Sequence, residues 1–126
     1  MKTIVTVAAI ALSAAFNLAQ ALDIQPYTPE TLAAKQKAGE AVALHFHADW
    51  CPTCRAQDKV FNGWKGDASV PGTLLIVNYD KERDLKRQLG VRTQSTVIAY
   101  KGTRETGRLA GDTDPKALRA VLDSAK

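Results

Sequence analysis

The sequence predicts an α/β domain, a central mixed sheet flanked by helices. Three observations point there. Two short apolar runs, at 41–47 and 74–78, lie between segments that carry helix start and stop signals. A hairpin signal, Lys101-Gly102, sits between two further strand-like runs. A Cys-x-x-Cys pair falls where the first apolar run passes into a helix. The 126 residues suit one domain, and a make-up of 45% hydrophobic and 24% charged residues is that of a globular chain.

Taken in order, Leu22 to Tyr27 reads as a short first strand, ended by Pro26 and Pro29. Thr28 is placed to cap a helix that has Pro29 at its first position and runs to about Lys37, before Gly39 stops it. The run Ala41 to His47 is apolar enough for a central strand covered on both faces. Cys54 to about Asn62 reads as helix. Pro71-Gly72 punctuates the start of a second buried strand, Leu74 to Asn78. Asp80 to Leu89 is a polar helix closed by Gly90, a residue suited to a left-handed cap. Thr96 to Tyr100 and Arg104 to Leu109 form the hairpin, and Asp112 or Asp114 caps a last helix, Pro115 to about Ser124. The predicted order is β-α-β-α-β-α-β-β-α.

Residues 1–21 have the pattern of a secretory signal. Lys2 precedes an apolar stretch, Ile4 to Phe16, broken only by Thr6 and Ser13, and Ala19-Gln20-Ala21 supplies a small-x-small cleavage site. The stretch is shorter than the roughly 20 residues a membrane span needs. The expectation is an exported protein, periplasmic or in an equivalent compartment, with residues 22–126 as its domain. An uncut signal would tether the same domain to the membrane. The formal charge is +4, and loss of 1–21 removes one lysine and no acid. Basic and acidic residues interleave, as at Asp80-Lys81-Glu82-Arg83-Asp84, which argues against a nucleic-acid partner. No long exposed apolar helix suggests self-association, so a monomer is expected.

The two cysteines, Cys51 and Cys54, are too close in sequence to staple a fold and well spaced for a switch. A thiolate, not a thiol, attacks a disulfide. At the start of a helix, unpaired backbone N–H groups and the positive end of the dipole favour that anion at Cys51. Pro52 fits the first turn because its missing N–H costs nothing there. Cys54, one turn on, can close a ring back to Cys51. This makes Cys51 the exposed nucleophile and Cys54 the resolving thiol.

The stretch Ala48-Asp49-Trp50-Cys51-Pro52-Thr53-Cys54-Arg55 resembles the active-site loop of the thioredoxin superfamily. The Gly90-Val91-Arg92 segment, the Thr96–Tyr100 strand and the Lys101-Gly102 turn resemble that family's C-terminal half. The resemblance implies a thioredoxin fold, thiol–disulfide exchange with protein thiols or disulfides, a membrane or soluble redox partner, and no bound cofactor. It implies Cys51 as attacking and Cys54 as resolving cysteine, with Trp50 shielding the pair. Trp50, Pro52, Thr53, Gln94 and Ser95 are expected to meet substrate. Family potentials span roughly −270 to −120 mV, so the motif is compatible with a reductase or an oxidant.

Three positions depart from the family pattern. Where the family has a cis-proline facing the disulfide, this chain has Ser95, after Gln94. A cis bond before a non-proline costs about 3–4 kcal/mol, so the Gln94–Ser95 bond is expected to be trans, or else cis and strained. Ser95 either fills a tolerant loop position or alters docking and offers a polar contact to Cys51 or a metal. His45 occupies the place of a buried aspartate, with Ile76 in place of its usual lysine companion. It reads either as a general base for Cys54 or as a core histidine. Strand alternation sets His47 on the same face as His45. His47 reads either as a group that stabilises the Cys51 thiolate or as a partly exposed space-filler. Cys51, Cys54, His47 and His45 together also suggest a second reading, a zinc- or copper-binding module, although their spacing is not that of a zinc finger. The aromatics Phe46, Phe61, Trp64, Tyr79 and Tyr100 are expected to pack rather than bind.

Overall fold

A computed structural model describes residues 21–126. All of the expected signal except Ala21 lies outside the described residues. The elements are β1 (Asp23–Pro26), α1 (Pro29–Lys37), β2 (Ala41–His47), α2 (Pro52–Trp64), β3 (Thr73–Asn78), α3 (Arg83–Leu89), β4 (Thr96–Lys101), β5 (Arg104–Ala110) and α4 (Pro115–Asp123). The five strands form one sheet in the order β1-β3-β2-β4-β5. β1 and β2 both run parallel to β3, while β4 is antiparallel to β2 and β5 to β4. This is a thioredoxin fold, a five-stranded mixed sheet with four helices. Pro26 is tolerated in β1 because β1 is an edge strand.

β2 lies in the middle of the sheet, and its alternate residues serve two cores. Val42, Leu44 and Phe46 pack with Leu75, Val77, Ile98 and Tyr100 on one face, against Leu32 of α1 and Leu85 of α3. Ala43 packs on the other face with Leu74, Val97 and Ala99, against Phe61 of α2 and Leu118, Val121 and Leu122 of α4. Burial of both faces explains the unbroken apolar run. It also puts the odd-numbered His45 and His47 on the face covered by α2.

Caps set the helix limits. Thr28 accepts from the Thr31 N–H at 3.0 Å, and Asp114, not Asp112, caps α4 through the Lys116 N–H at 3.1 Å. α3 starts at Arg83, three residues after the expected Asp80, because Asn78 Oδ1 takes the N–H groups of Asp80 and Lys81, both at 3.1 Å, and holds them in a turn. α2 starts at Pro52 and reaches Trp64, longer at both ends than the sequence suggests. Gly72 is required where it stands. At φ +93°, a Cβ there would lie 2.5 Å from the Ala41 carbonyl oxygen.

Candidate active site

Cys51 is the N-cap of α2, at the end of the central parallel strand, and its Sγ accepts the Cys54 N–H at 3.2 Å. The exposed position expected for Cys51 is not observed. The residue shows 2% of its surface and Cys54 none, because Ala48, Tyr79 and the Ser95 side chain close over the pair. Burial opposes the Cys51 thiolate, but hydrogen bonds from the Cys54 and Ser95 side chains and from the Cys54 and Thr53 backbone outweigh it. Together they hold this thiol below its ordinary pKa. Cys54 lies deeper. Burial pushes its thiol up, and the contact with Cys51 pushes it further.

Ser95 supplies the polar contact that the sequence left open. Its Oγ is 3.2 Å from Cys51 Sγ and 3.0 Å from Cys54 Sγ. The described residues contain no cis peptide, so the Gln94–Ser95 bond is trans, as expected. Its φ of 66° is the only left-handed value at a non-glycine among the described residues. A conformation of this kind costs of order 1–3 kcal/mol and persists where the surroundings fix it. Here they do. The Ser95 N–H donates to the Phe46 carbonyl at 2.9 Å, and the Ser95 carbonyl accepts from Gly111 N at 3.1 Å and from Gln57 Nε2 at 3.0 Å. With 1% exposure, Ser95 does not line an open groove as expected; it faces inward onto the sulfurs.

Gln57 is the residue that the sequence reading missed. It is fully buried on α2, and its amide nitrogen donates to the carbonyls of Ser95 and of Asp112, the latter at 2.8 Å. With the nitrogen so used, the amide oxygen is the end that meets His45 Nε2, at 2.8 Å, and that ring nitrogen carries the hydrogen. His45 is wholly buried, edge-on to Phe61 and in register with the apolar Ile76. The spacing of Gln57, in the second turn of α2 and on the face that carries Cys54 and Phe61, is the signal that could have found it.

The two imidazoles share one carboxylate. Asp58 Oδ1 is 3.4 Å from His45 Nδ1, and Asp58 Oδ2 is 2.7 Å from His47 Nε2. Neither nitrogen makes a well-directed hydrogen bond, so these are close polar contacts off the ring N–H line. Burial raises the Asp58 pKa, but the two histidines more than reverse this and leave its carboxyl below the usual range. Neither imidazole hydrogen-bonds a sulfur. The roles expected of His45 towards Cys54 and of His47 towards Cys51 therefore lack a direct contact, because Gln57 and Asp58 occupy those ring nitrogens. For the same reason His45 and His47 do not converge on the sulfurs as a metal set, and among the described residues no group of three His, Cys, Asp or Glu side chains is arranged to hold an ion.

The remaining expected contacts sit around the rim. Trp50 is 58% exposed, and its Nε1 donates to Asp80 Oδ2 at 2.9 Å. Pro52 is exposed, while Thr53 and Gln94 are half-buried. Trp50 borders a cleft of about 300 Å³ with His47, Asp49, Asn78 and Asp80. Phe46, Phe61 and Tyr100 are buried in the cores, as expected of packing residues.

A thiol pair at a helix N-terminus, set at the end of a central parallel strand, defines a dithiol–disulfide oxidoreductase site. The family model for thioredoxin matches residues 5–124, and the chain belongs to the thioredoxin family. It is 30% identical over 88 residues to a thioredoxin-like protein of Fusarium culmorum, covering 65% of this chain and 73% of that one. It is 28% identical over 81 residues to a thioredoxin of Alicyclobacillus acidocaldarius, covering 64% and 77%. Among solved structures, Trxlp from Edwardsiella tarda matches with a TM-score of 0.73 and 31% identity, over 79% of this chain and 98% of that one. Family membership and the intact pair give the chain dithiol–disulfide oxidoreductase activity, with protein thiols as the substrate class.

Proposed function

We propose that the chain is an exported thiol–disulfide oxidoreductase in which Cys51 attacks and Cys54 resolves. The asymmetry of the pair carries this reading. Cys51 caps a helix and its thiol is held below its ordinary value, whereas the deeper Cys54 is held above. The Cys51 thiolate attacks one sulfur of a substrate disulfide and releases the other. Cys54 then attacks Cys51 Sγ, forms the intramolecular disulfide and frees the remaining substrate thiol. Trp50, Pro52, Thr53 and Gln94, on the accessible rim, meet the substrate chain. A membrane or soluble thiol carrier resets the pair.

The leader pattern of residues 1–21 supports export, and the nine described elements lie between Asp23 and Asp123, downstream of it. Two measurements test the proposal. A Cys54→Ser variant incubated with a disulfide-bonded protein accumulates a reducible mixed disulfide through Cys51; absence of any adduct would refute the assigned roles. Fractionation and N-terminal sequencing of the expressed chain find it in the exported fraction, beginning at Leu22. Recovery of the intact N-terminus in the cytoplasm would refute export.

A further inference from the structure

We propose that Ser95 sets the redox poise of the pair, because its hydroxyl links Cys54 to Cys51 by two hydrogen bonds that the dithiol makes and the disulfide lacks. The inference rests on the roles assigned above to the two cysteines and adds a direction to them. Whatever stabilises the dithiol makes the disulfide the stronger electron acceptor. Ser95 Oγ stands 3.2 Å from Cys51 Sγ and 3.0 Å from Cys54 Sγ. A hydroxyl has one hydrogen to give and two lone pairs to receive with. A Cys51 thiolate has no hydrogen, so the hydroxyl is the donor there. Only lone pairs then remain for Cys54, which is the donor in the second bond and keeps its proton. The Phe46 carbonyl, another acceptor for Cys54, is further off at 3.9 Å. The Cys54 N–H, at 3.2 Å, also points to Cys51 Sγ and places the anion there rather than at Cys54.

The chain exists in one redox state only. When two substrate thiols reduce the enzyme, the Cys51–Cys54 bond breaks and a disulfide forms between the two substrate sulfurs. One of the two thiol protons goes to Cys54 and the other to solvent, which leaves Cys51 as the thiolate. Oxidation reverses this and removes both bonds, since a disulfide has no S–H to donate and no charge to attract the hydroxyl hydrogen. Burial gives the chain its weight. Ser95 is 1% exposed, Cys51 2% and Cys54 not at all, so solvent competes little for either sulfur. The backbone fixes the aim of the hydroxyl, with the Ser95 N–H on the Phe46 carbonyl and the Ser95 carbonyl held by Gly111 and Gln57. The left-handed φ fits this use, since strain of that kind at a buried non-glycine is found where function holds it.

The test follows the redox equilibrium against pH. The purified protein and its Ser95→Ala and Ser95→Gly variants are equilibrated with reduced and oxidised glutathione from about pH 5 to 9, a range that spans thiol ionisation. Thiol labelling then reads the fraction of dithiol. At the alkaline end both variants shift the equilibrium about tenfold or more towards the disulfide, which for a two-electron couple is a potential about 30 mV more negative. The gap narrows as pH falls, because Cys51 takes a proton in all three proteins and the hydroxyl then faces a neutral thiol. Alkylation of Cys51 by iodoacetamide against pH gives the matching result, a thiolate pKa about one unit higher in both variants. The glycine variant suits φ 66° and stays folded. An unchanged Cys51 pKa, an equilibrium moved equally at every pH or moved towards the dithiol, or a defect in the alanine variant that the glycine variant lacks would overturn the assignment. Failure of the Cys54→Ser variant to form any adduct would instead overturn the exchange roles themselves.

Discussion

Replacing Gln57 by leucine tests whether the shell behind the cysteines is held by a single side chain. The substitution nearly conserves volume, so packing changes little, and its effect comes from three lost hydrogen bonds. The two donated to the Ser95 and Asp112 carbonyls, at 3.0 and 2.8 Å, are each worth about 0.5–1.5 kcal/mol. Both acceptors have some relief, since Ser95 O keeps the Gly111 N–H and the Asp112 contact is only part-buried. The third loss is worse. His45 is fully buried, and its Nε2–H has no other partner, so it becomes an orphan costing about 1–3 kcal/mol. Added apolar burial returns roughly 1 kcal/mol, leaving a net loss of about 3 kcal/mol. Urea unfolding should show the midpoint falling at constant slope, and Tm should drop by roughly 10–20 °C. A loss below about 1 kcal/mol with unchanged slope would mean that Gln57 does not hold the shell as described.

Three further outcomes follow from the same geometry. Gly72→Ala should destabilise by more than about 2 kcal/mol, since its Cβ would meet the Ala41 carbonyl at 2.5 Å, whereas Gly39→Ala, at φ +71° with open space around it, should cost about 1 kcal/mol; matched thermal melts decide. Asp58→Asn should flatten the acid limb of stability: a carboxylate with a depressed native pKa stabilises fully above its unfolded value, about 3.9, and loses this as pH falls through the native value. Urea midpoints from pH 2.5 to 6 should therefore converge for the two proteins at the acid end, with Asp67 and Asp123, also depressed, sustaining what slope remains in the variant. Ser95→Pro, which installs the residue that the family pattern has there, should lower stability by more than about 2 kcal/mol, because proline has no N–H for the Phe46 carbonyl and cannot reach φ 66°; an equal or higher Tm would contradict this.

The fold was legible because its signals are local and repeated. Thr28-Pro29 and Asp114-Pro115 give helix starts that depend on a side chain and its own neighbours. The apolar runs of β2 and β3 report two-sided burial directly. The end of α3 at Leu89 and its Gly90 cap match the expectation, but its start falls three residues late because Asn78 competes for the same N–H groups, a choice that propensity alone does not resolve. Of the site, the cysteines and the polar contact offered by Ser95 were legible, but the partners of the two histidines were not. Chain direction and strand alternation put His45 and His47 on the correct face. What each ring nitrogen meets, however, depends on Gln57 and Asp58, twelve and eleven residues further on and brought beside them by the packing of α2 on β2. Gln57 itself looked like one more polar residue in a helix, and its burial is a tertiary fact.

The departures from the family pattern at 45 and 95 are coupled through Gln57. A serine at 95 brings an N–H that a proline lacks, and that N–H ties the loop to β2 through Phe46. Its carbonyl is held by an amide nitrogen of Gln57, and that amide stays satisfied in a dry core only if its oxygen also finds a donor. His45 Nε2 is that donor. An aspartate at 45, ionised and accepting only, would face the Gln57 oxygen with like polarity and turn the amide over, withdrawing its nitrogen from Ser95. The histidine thus serves the sulfurs at one remove: it fixes the orientation of Gln57, Gln57 fixes the Ser95 backbone, and the backbone aims the hydroxyl between Cys51 and Cys54. Exchanging His45 or Ser95 for the family's residue breaks a hydrogen bond of this shell, so it behaves as a unit.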